Sequence, residues 1–166
     1  MEERWAREVP YRVNHFERLA IVYSDAESHG SIAAVLVFED TVQYMHWVIP
    51  ARLRRLLCVR EANVVANELV AAVMGVVMAD RVFLRSIGFR HFVDSNPALG
   101  CILKGSSPQE DLNLLAGLVS YLAGSRMRAY WGQYVRSTCN LADKPSRGDY
   151  QQMIRLGATS LTCVFC

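Results

Sequence analysis

Residues 19–38, LAIVYSDAESHGSIAAVLVF, decide the fold. The first run is apolar and β-branched as far as Tyr23, a polar turn follows around Ser28, His29 and Gly30, and the second run, 32–38, is apolar throughout. That is the pattern of a hairpin between buried strands. A single carboxylate, Asp25, stands where the first run ends. An acid closing a strand is most often a turn residue, so its meaning depends on what else the chain brings to it.

Outward from the hairpin, residues 41–49, TVQYMHWVI, alternate well enough for a third antiparallel strand that Pro50 ends. On the other side, residues 1–16 are weakly patterned and read as an irregular lead-in. The stretch 51–60, ARLRRLLCVR, interleaves arginines with leucines, a short helix or turn with a solvated basic face. The helix over about 61–79 is more informative. Val64, Val65, Glu68, Ala71, Ala72 and Gly75 share one face while Val70, Val73 and Val77 fill another, so the helix is apolar nearly all round and belongs at the centre. An unpaired carboxylate there costs roughly several kcal/mol. Glu68 therefore needs a partner, and a metal ion would be one. Glu61, two turns earlier on the same face, is already explained by the helix start, where the macrodipole favours an acid.

Residues 88–94, GFRHFVD, form another strand ending in a carboxylate, followed by Ser95, Asn96, Pro97 and a short helix over 98–103. Because a helix leads into it, this strand is expected to lie parallel to the first by the right-handed crossover rule. Asp25 and Asp94 then share the carboxyl edge, where open α/β sheets place their sites. Lys104, Gly105, Ser106 and Ser107 lead into a helix from Pro108 to about Gly124, with Ser107 and Glu110 spaced as a capping box. The same helix start beside Lys104 is a place where a phosphate can rest. Residues 126–135, RMRAYWGQYV, read as a last strand, 140–147, NLADKPSR, as a polar turn into a short helix, and 157–166 as an apolar tail. Taken alone, Asp143 reads as a helix cap ahead of Pro145.

The bulk properties bound the function. A chain of 166 residues fits one domain, long enough to bury about two thirds of the surface it exposes when unfolded. Hydrophobic residues make up 52% and mean hydropathy is +0.12, which suits central elements covered on both sides. The longest apolar stretch, 64–79, is short for a bilayer span and carries Asn67 and Glu68, so no membrane segment is expected. MEERWAREVP lacks the plan of a secretory signal, and an intracellular location, cytoplasmic or nuclear, follows as the expectation. The cysteines, Cys58, Cys101, Cys139, Cys163 and Cys166, form an odd set with one unaccompanied CxxC, read as reduced thiols and not as a metal site. At a net charge of +2, a polyanionic partner would be held by local clusters of charge and not by a global field.

The element order resembles the ribonuclease H fold. VYSDAES, VDSNPAL, KGSS and above all NLADKPSR look like the ribonuclease H-like domains of retroelement polyproteins, including the DIRS-like group, over about residues 19–147. The resemblance implies an α/β domain spanning 1–166 with its core over about 19–156. Its five-stranded mixed sheet would have three antiparallel strands and then two parallel ones, with helices on both faces. It implies that Asp25, Glu68, Asp94 and Asp143 are the catalytic and metal-ligating residues. Asp25 would bridge two Mg²⁺ ions, with Mn²⁺ as a substitute; Glu68 and Asp94 would complete one, and Asp143 would hold the other. Phosphodiester hydrolysis through two such ions wants hard oxygen donors around a cavity that takes metals roughly 3.5 to 4 Å apart.

The activity so implied is endonucleolytic hydrolysis of the RNA strand of an RNA/DNA hybrid, leaving 5′-phosphate and 3′-hydroxyl ends. An acid on the helix before the fourth-strand Asp favours this over the strand transfer of integrases and transposases, whose essential Glu comes later. The implied partners are the hybrid and a reverse transcriptase domain of the same polyprotein. Contacts to phosphate and 2′-hydroxyl are expected from Lys104, Ser106, Ser107, Asn140 and Arg147, with Arg52, Arg54 and Arg55 as further phosphate contacts. Three departures from the family pattern stand out: Ser95 where Asn is common, Val64 and Val65 where cellular enzymes carry Asn, and no His over 136–143. Ser95, the missing His and the modest net charge keep open a second reading, a catalytically inactive ribonuclease H-fold module that binds nucleic acid or scaffolds a polyprotein.

Overall fold

The structure is a computed structural model that describes residues 19–57, 63–82, 88–126 and 129–162. Strands β1 (Leu19–Ala26), β2 (Ser31–Phe38) and β3 (Thr41–Val48) form the expected antiparallel meander. Its first turn needs Gly30, whose φ is +89° and where a Cβ would lie 2.9 Å from Cδ of Arg54. Arg54 closes over that turn, donating from Nη1 to the His29 carbonyl at 2.7 Å. The basic stretch after β3 thus spends one arginine on the hairpin. Arg52, Arg54 and Arg55 are all exposed around the single turn α1 (Ala51–Arg54), while Arg60 lies outside the described residues.

Helix α2 (Val64–Val82) then carries the chain across the sheet, and β4 (Gly88–Val93) returns parallel to β1, with Ser24 opposite Val93. After α3 (Asn96–Lys104) and α4 (Glu110–Arg126), β5 (Ala129–Tyr134) pairs parallel to β4. A 3-10 turn (Ser137–Cys139), α5 (Asp143–Ser146) and α6 (Gln151–Arg155) follow. Among the described residues the sheet has six strands, not the five expected, in the order β5-β4-β1-β2-β3-β6. The addition is β6 (Thr159–Ser160), parallel to β3 through Gln43 and Tyr44 and continued by Leu161 N–H to the Tyr44 carbonyl at 2.8 Å. Two residues carry no periodicity to read; the edge of β3 recruits them.

The pleat sorts side chains into two cores. Ala20, Val22, Ile32, Ala34, Leu36, Met45 and Phe89 face α2, α3 and α4, whereas Ala33 and Val35 meet Ala142 and Met153 from the short C-terminal helices. Helices therefore cover both faces. No helix among the described residues is long and apolar enough to cross a membrane. The cap of α4 differs from the expected box. Ser107 Oγ accepts from Gln109 N–H at 3.3 Å, and Asn113, not Glu110, takes the Ser107 N–H at 3.1 Å.

One contact sets how closely α2 lies on the sheet. A Cβ at Gly75 would stand 2.8 Å from Val22 Cγ1 and 3.5 Å from His91 Nε2, so the helix backbone rests almost on β1 and β4. Beneath it runs a buried polar row: Ser24 Oγ and His91 Nε2 are 2.8 Å apart, and His91 Nδ1 and Tyr130 OH 2.9 Å. These bonds join β1, β4 and β5 side to side and satisfy a histidine that is fully buried. Gly75→Ala is expected to cost about 1–3 kcal/mol by overpacking. Gly117→Ala in α4, where a Cβ meets nothing within 4 Å, should instead be neutral or stabilise by up to about 1 kcal/mol. Urea unfolding of the two variants checks the contrast.

Candidate metal centre

Three of the four predicted acids converge. One ligand oxygen each from Asp25, Glu68 and Asp94 lies within 4.8 Å of the others. Asp25 closes β1, and Asp94 follows the last residue of β4 directly. The parallel pairing of those strands puts both at one sheet edge, as the crossover argument required. Glu68 comes from the second turn of α2, brought over that edge by the close seating at Gly75. Ser95 Oγ accepts from Ala98 N–H at 3.3 Å and caps α3, so the helix turns away immediately after Asp94. Glu61 lies outside the described residues.

The acids stand around a hollow of about 400 Å³, lined also by Glu27, Ser95, Ser137, Asp143 and Arg147. A larger hollow of about 660 Å³, walled by Trp47, Leu53, Val70 and Leu114, lies elsewhere and is mainly apolar. The smaller one gathers Asp25, Glu68 and Asp94, whereas the larger is bordered by Glu110 and Asp111. Asp143, at the start of α5, borders the same hollow without joining the tight group. Its Oδ1 receives Arg147 Nη2 at 2.9 Å, and Arg147 Nε reaches Glu27 Oε1 at 2.9 Å.

Electrostatics at the centre are unfavourable without a cation. Burial, then the charges of Asp25 and Asp94, push the Glu68 carboxyl up to about 9, against one compensating hydrogen bond from Ala26 N–H. Its Oε2 is buried with no hydrogen-bond partner. Asp25 is raised to about 6, chiefly by burial and further by Asp94 and Asp143, while a hydrogen bond donated by Ser146 Oγ to Oδ2 pulls the other way. An orphaned buried oxygen and an all-oxygen donor set fit a hard divalent cation. These three residues could hold one.

The expected nucleic-acid contacts divide. Lys104 and Ser106 are exposed and Ser107 is half-buried, but they sit at and beyond the far end of α3, a helix about 13 Å long by its rise. Asn140 does not face solvent. It is 4% exposed, its Nδ2 donating to the Ser24 carbonyl at 3.0 Å and its Oδ1 accepting from Ala142 N–H at 3.1 Å. A buried amide at a strand end gains more from satisfying the backbone than from an exposed contact, so this residue ties the last loop to β1 beside Asp25. Arg147 is turned onto Glu27 and Asp143.

Sequence reading assigned no role to Ser146, Glu27 or His91. The spacing of Ser146 three residues after Asp143 on a helical turn was a usable signal, as was a lone His between Phe89 and Val93 on an apolar strand face.

No protein-family model matches the chain, and no curated protein matches it in sequence. Solved structures match in fold, and the fold is ribonuclease H-like. The N-terminal RNase H domain of a Mycobacterium tuberculosis protein aligns with a TM-score of 0.56 at 15% identity, covering 82% of this chain and 99% of that one. RNase H1 from the halophilic archaeon Halobacterium salinarum aligns at 0.55 and 12% identity, covering 79% and 98%. LC11-RNase H1, solved in complex with an RNA/DNA hybrid, aligns at 0.56 and 9% identity, covering 83% and 99%.

The raised pKa of Glu68 predicts how metal-free stability changes with pH. A folded carboxyl titrating near 9, against 4.5 as its ordinary value, makes the folded chain hold more protons, so stability falls as pH rises through that window. His91, buried neutral and lowered to about 3 from 6.5, acts oppositely but only below 6.5. Asp25 has finished by about 6. Between about pH 6.5 and 9, chelator-treated protein should therefore lose stability steadily, and Glu68→Gln should flatten the slope. Urea midpoints across that range measure it.

Proposed function

We propose that the chain is a divalent-cation-dependent endonuclease that hydrolyses the RNA strand of RNA/DNA hybrids. The single observation that carries this reading is the close group of buried Asp25 and Glu68 with half-buried Asp94, a Glu68 oxygen being left unpaired. Fold alone does not assign chemistry; three crowded carboxylates at a strand edge narrow it, because in their charged form they need a cation to offset their repulsion. In this reading the cations are Mg²⁺, with Mn²⁺ as a substitute, held first by those three residues, with Asp143 serving a second ion. When bound, such ions polarise the phosphodiester and lower the pKa of water.

The chain's own residues orient the centre. Ser146 fixes the rotation of the Asp25 carboxylate, Ala26 N–H holds one side of Glu68, and Asn140 keeps the last loop against β1. Lys104, Ser106 and Ser107 are the proposed backbone contacts. They lie one helix length along α3 from Asp94, on the chain that leads away from the carboxylates. The retroelement assignment, with a reverse transcriptase domain as partner and action in cytoplasm or nucleus, rests on the resemblance of NLADKPSR and its companion motifs. We take residues 1–166 as a single domain of this kind.

One observation favours a second reading, a ribonuclease H-fold module that binds without cutting: Asp143 is already engaged by Arg147. One assay separates the two. With Mg²⁺ or Mn²⁺ and an end-labelled hybrid, the RNA strand alone should be cut, leaving 5′-phosphates. Asp94→Asn should lower the rate on the order of a hundredfold or more without altering the thermal midpoint by more than a few degrees. No cleavage with either ion would sink the nuclease reading.

A further inference from the structure

The hollow is lined by five acids, Asp25, Glu27, Glu68, Asp94 and Asp143, and one base, Arg147. That base is placed on the acids that stay outside the tight group. Its Nε and Nη2 each lie 2.9 Å from a carboxylate, Glu27 on one side and Asp143 on the other. The preceding residue, Ser146, donates to Oδ2 of Asp25. One short turn, Asp143–Ser146 with Arg147 as its C-cap, therefore satisfies oxygens on both acids that a second cation would need. The other half of the centre is unlike this: Glu68 keeps an oxygen with no hydrogen-bond partner. The centre is thus divided into an open half and a half filled from within.

We propose that Arg147 is a resident counter-ion that stands in for the second cation. The chain takes its first divalent cation at Asp25, Glu68 and Asp94, and a second only by displacing the guanidinium from Asp143. A planar fork suits this place, since it spans two carboxylates at once as a point charge cannot. The side chain is 57% exposed, and ion pairs so open to water are weak and displaceable. The released fork also matches a phosphate, so a nucleic-acid backbone is its natural second partner. This inference rests on the metal-centre reading above and goes beyond it by making occupancy of the two positions unequal.

Calorimetric titration of the full chain with Mn²⁺ tests it. The wild type should show one tight uptake, lost in Asp94→Asn, and a second, much weaker one. Arg147→Gln should tighten the second by roughly tenfold or more while the first stays within about twofold. Should that variant fail to fold, Arg147→Lys keeps the charge but not the fork, and should give the same selective gain, smaller. Identical isotherms for wild type and variants overturn the proposal, and so does equal tightening of both events, which marks a general charge effect. The metal-centre reading fails in a different way, by absence of uptake in every form or by tight uptake that survives Asp94→Asn, and either result defeats both.

Discussion

Negative charge confined at a buried strand edge is the constraint on which the rest of this structure depends. Asp25 and Glu68 are both buried and both pushed upward, to about 6 and about 9, first by loss of water and then by nearby carboxylates, Asp94 and Asp143 acting on Asp25, and Asp25 and Asp94 on Glu68. Left alone, such a group would neutralise itself by taking up protons. The surroundings moderate this at each member: a serine hydroxyl on Asp25, a backbone N–H on Glu68, an arginine shared by Asp143 and Glu27. None reaches the second oxygen of Glu68, so the crowding is relieved least at the acid that α2 supplies.

The framework makes the crowding possible. A strand can bring an acid to an edge, but a third from a different layer requires a helix seated low enough to lean over it. Small residues at Ala71, Ala72 and Gly75 allow that descent, and the bonds among Ser24, His91 and Tyr130 stiffen the floor on which the helix rests. Packing far below the carboxylates thereby sets their spacing. The last loop completes the enclosure through Asn140, whose amide bonds to the Ser24 carbonyl, one residue from Asp25.

Much of this was legible in the chain. The hairpin of β1 and β2 declares itself by unbroken apolar runs, β4 by its reach through a helix, and the meeting of Asp25 with Asp94 follows from handedness alone. Glu68 was found from the cost of an acid among alanines and valines. What escaped was tertiary. Thr159 and Ser160 become a strand only because Gln43 and Tyr44 offer an edge. Asn113 displaces Glu110 from the cap of α4 through the particular path of the loop. Asn140 looks like a surface contact in a polar motif, and its inward turn depends on where β1 happens to end.

The histidine under α2 has a consequence of its own. His91 stays neutral far below ordinary pH because burial opposes its charge, so its ring carries one hydrogen between two hydroxyl neighbours. Either tautomer satisfies the row, with Tyr130 and Ser24 reversing their donor and acceptor roles together. Gly75 covers the Nε2 edge of the ring, and a hydrogen held there exchanges with deuterium through local opening of the helix from the sheet. A single imidazole resonance would thus register, averaged over the sample, how often the roof of the centre lifts.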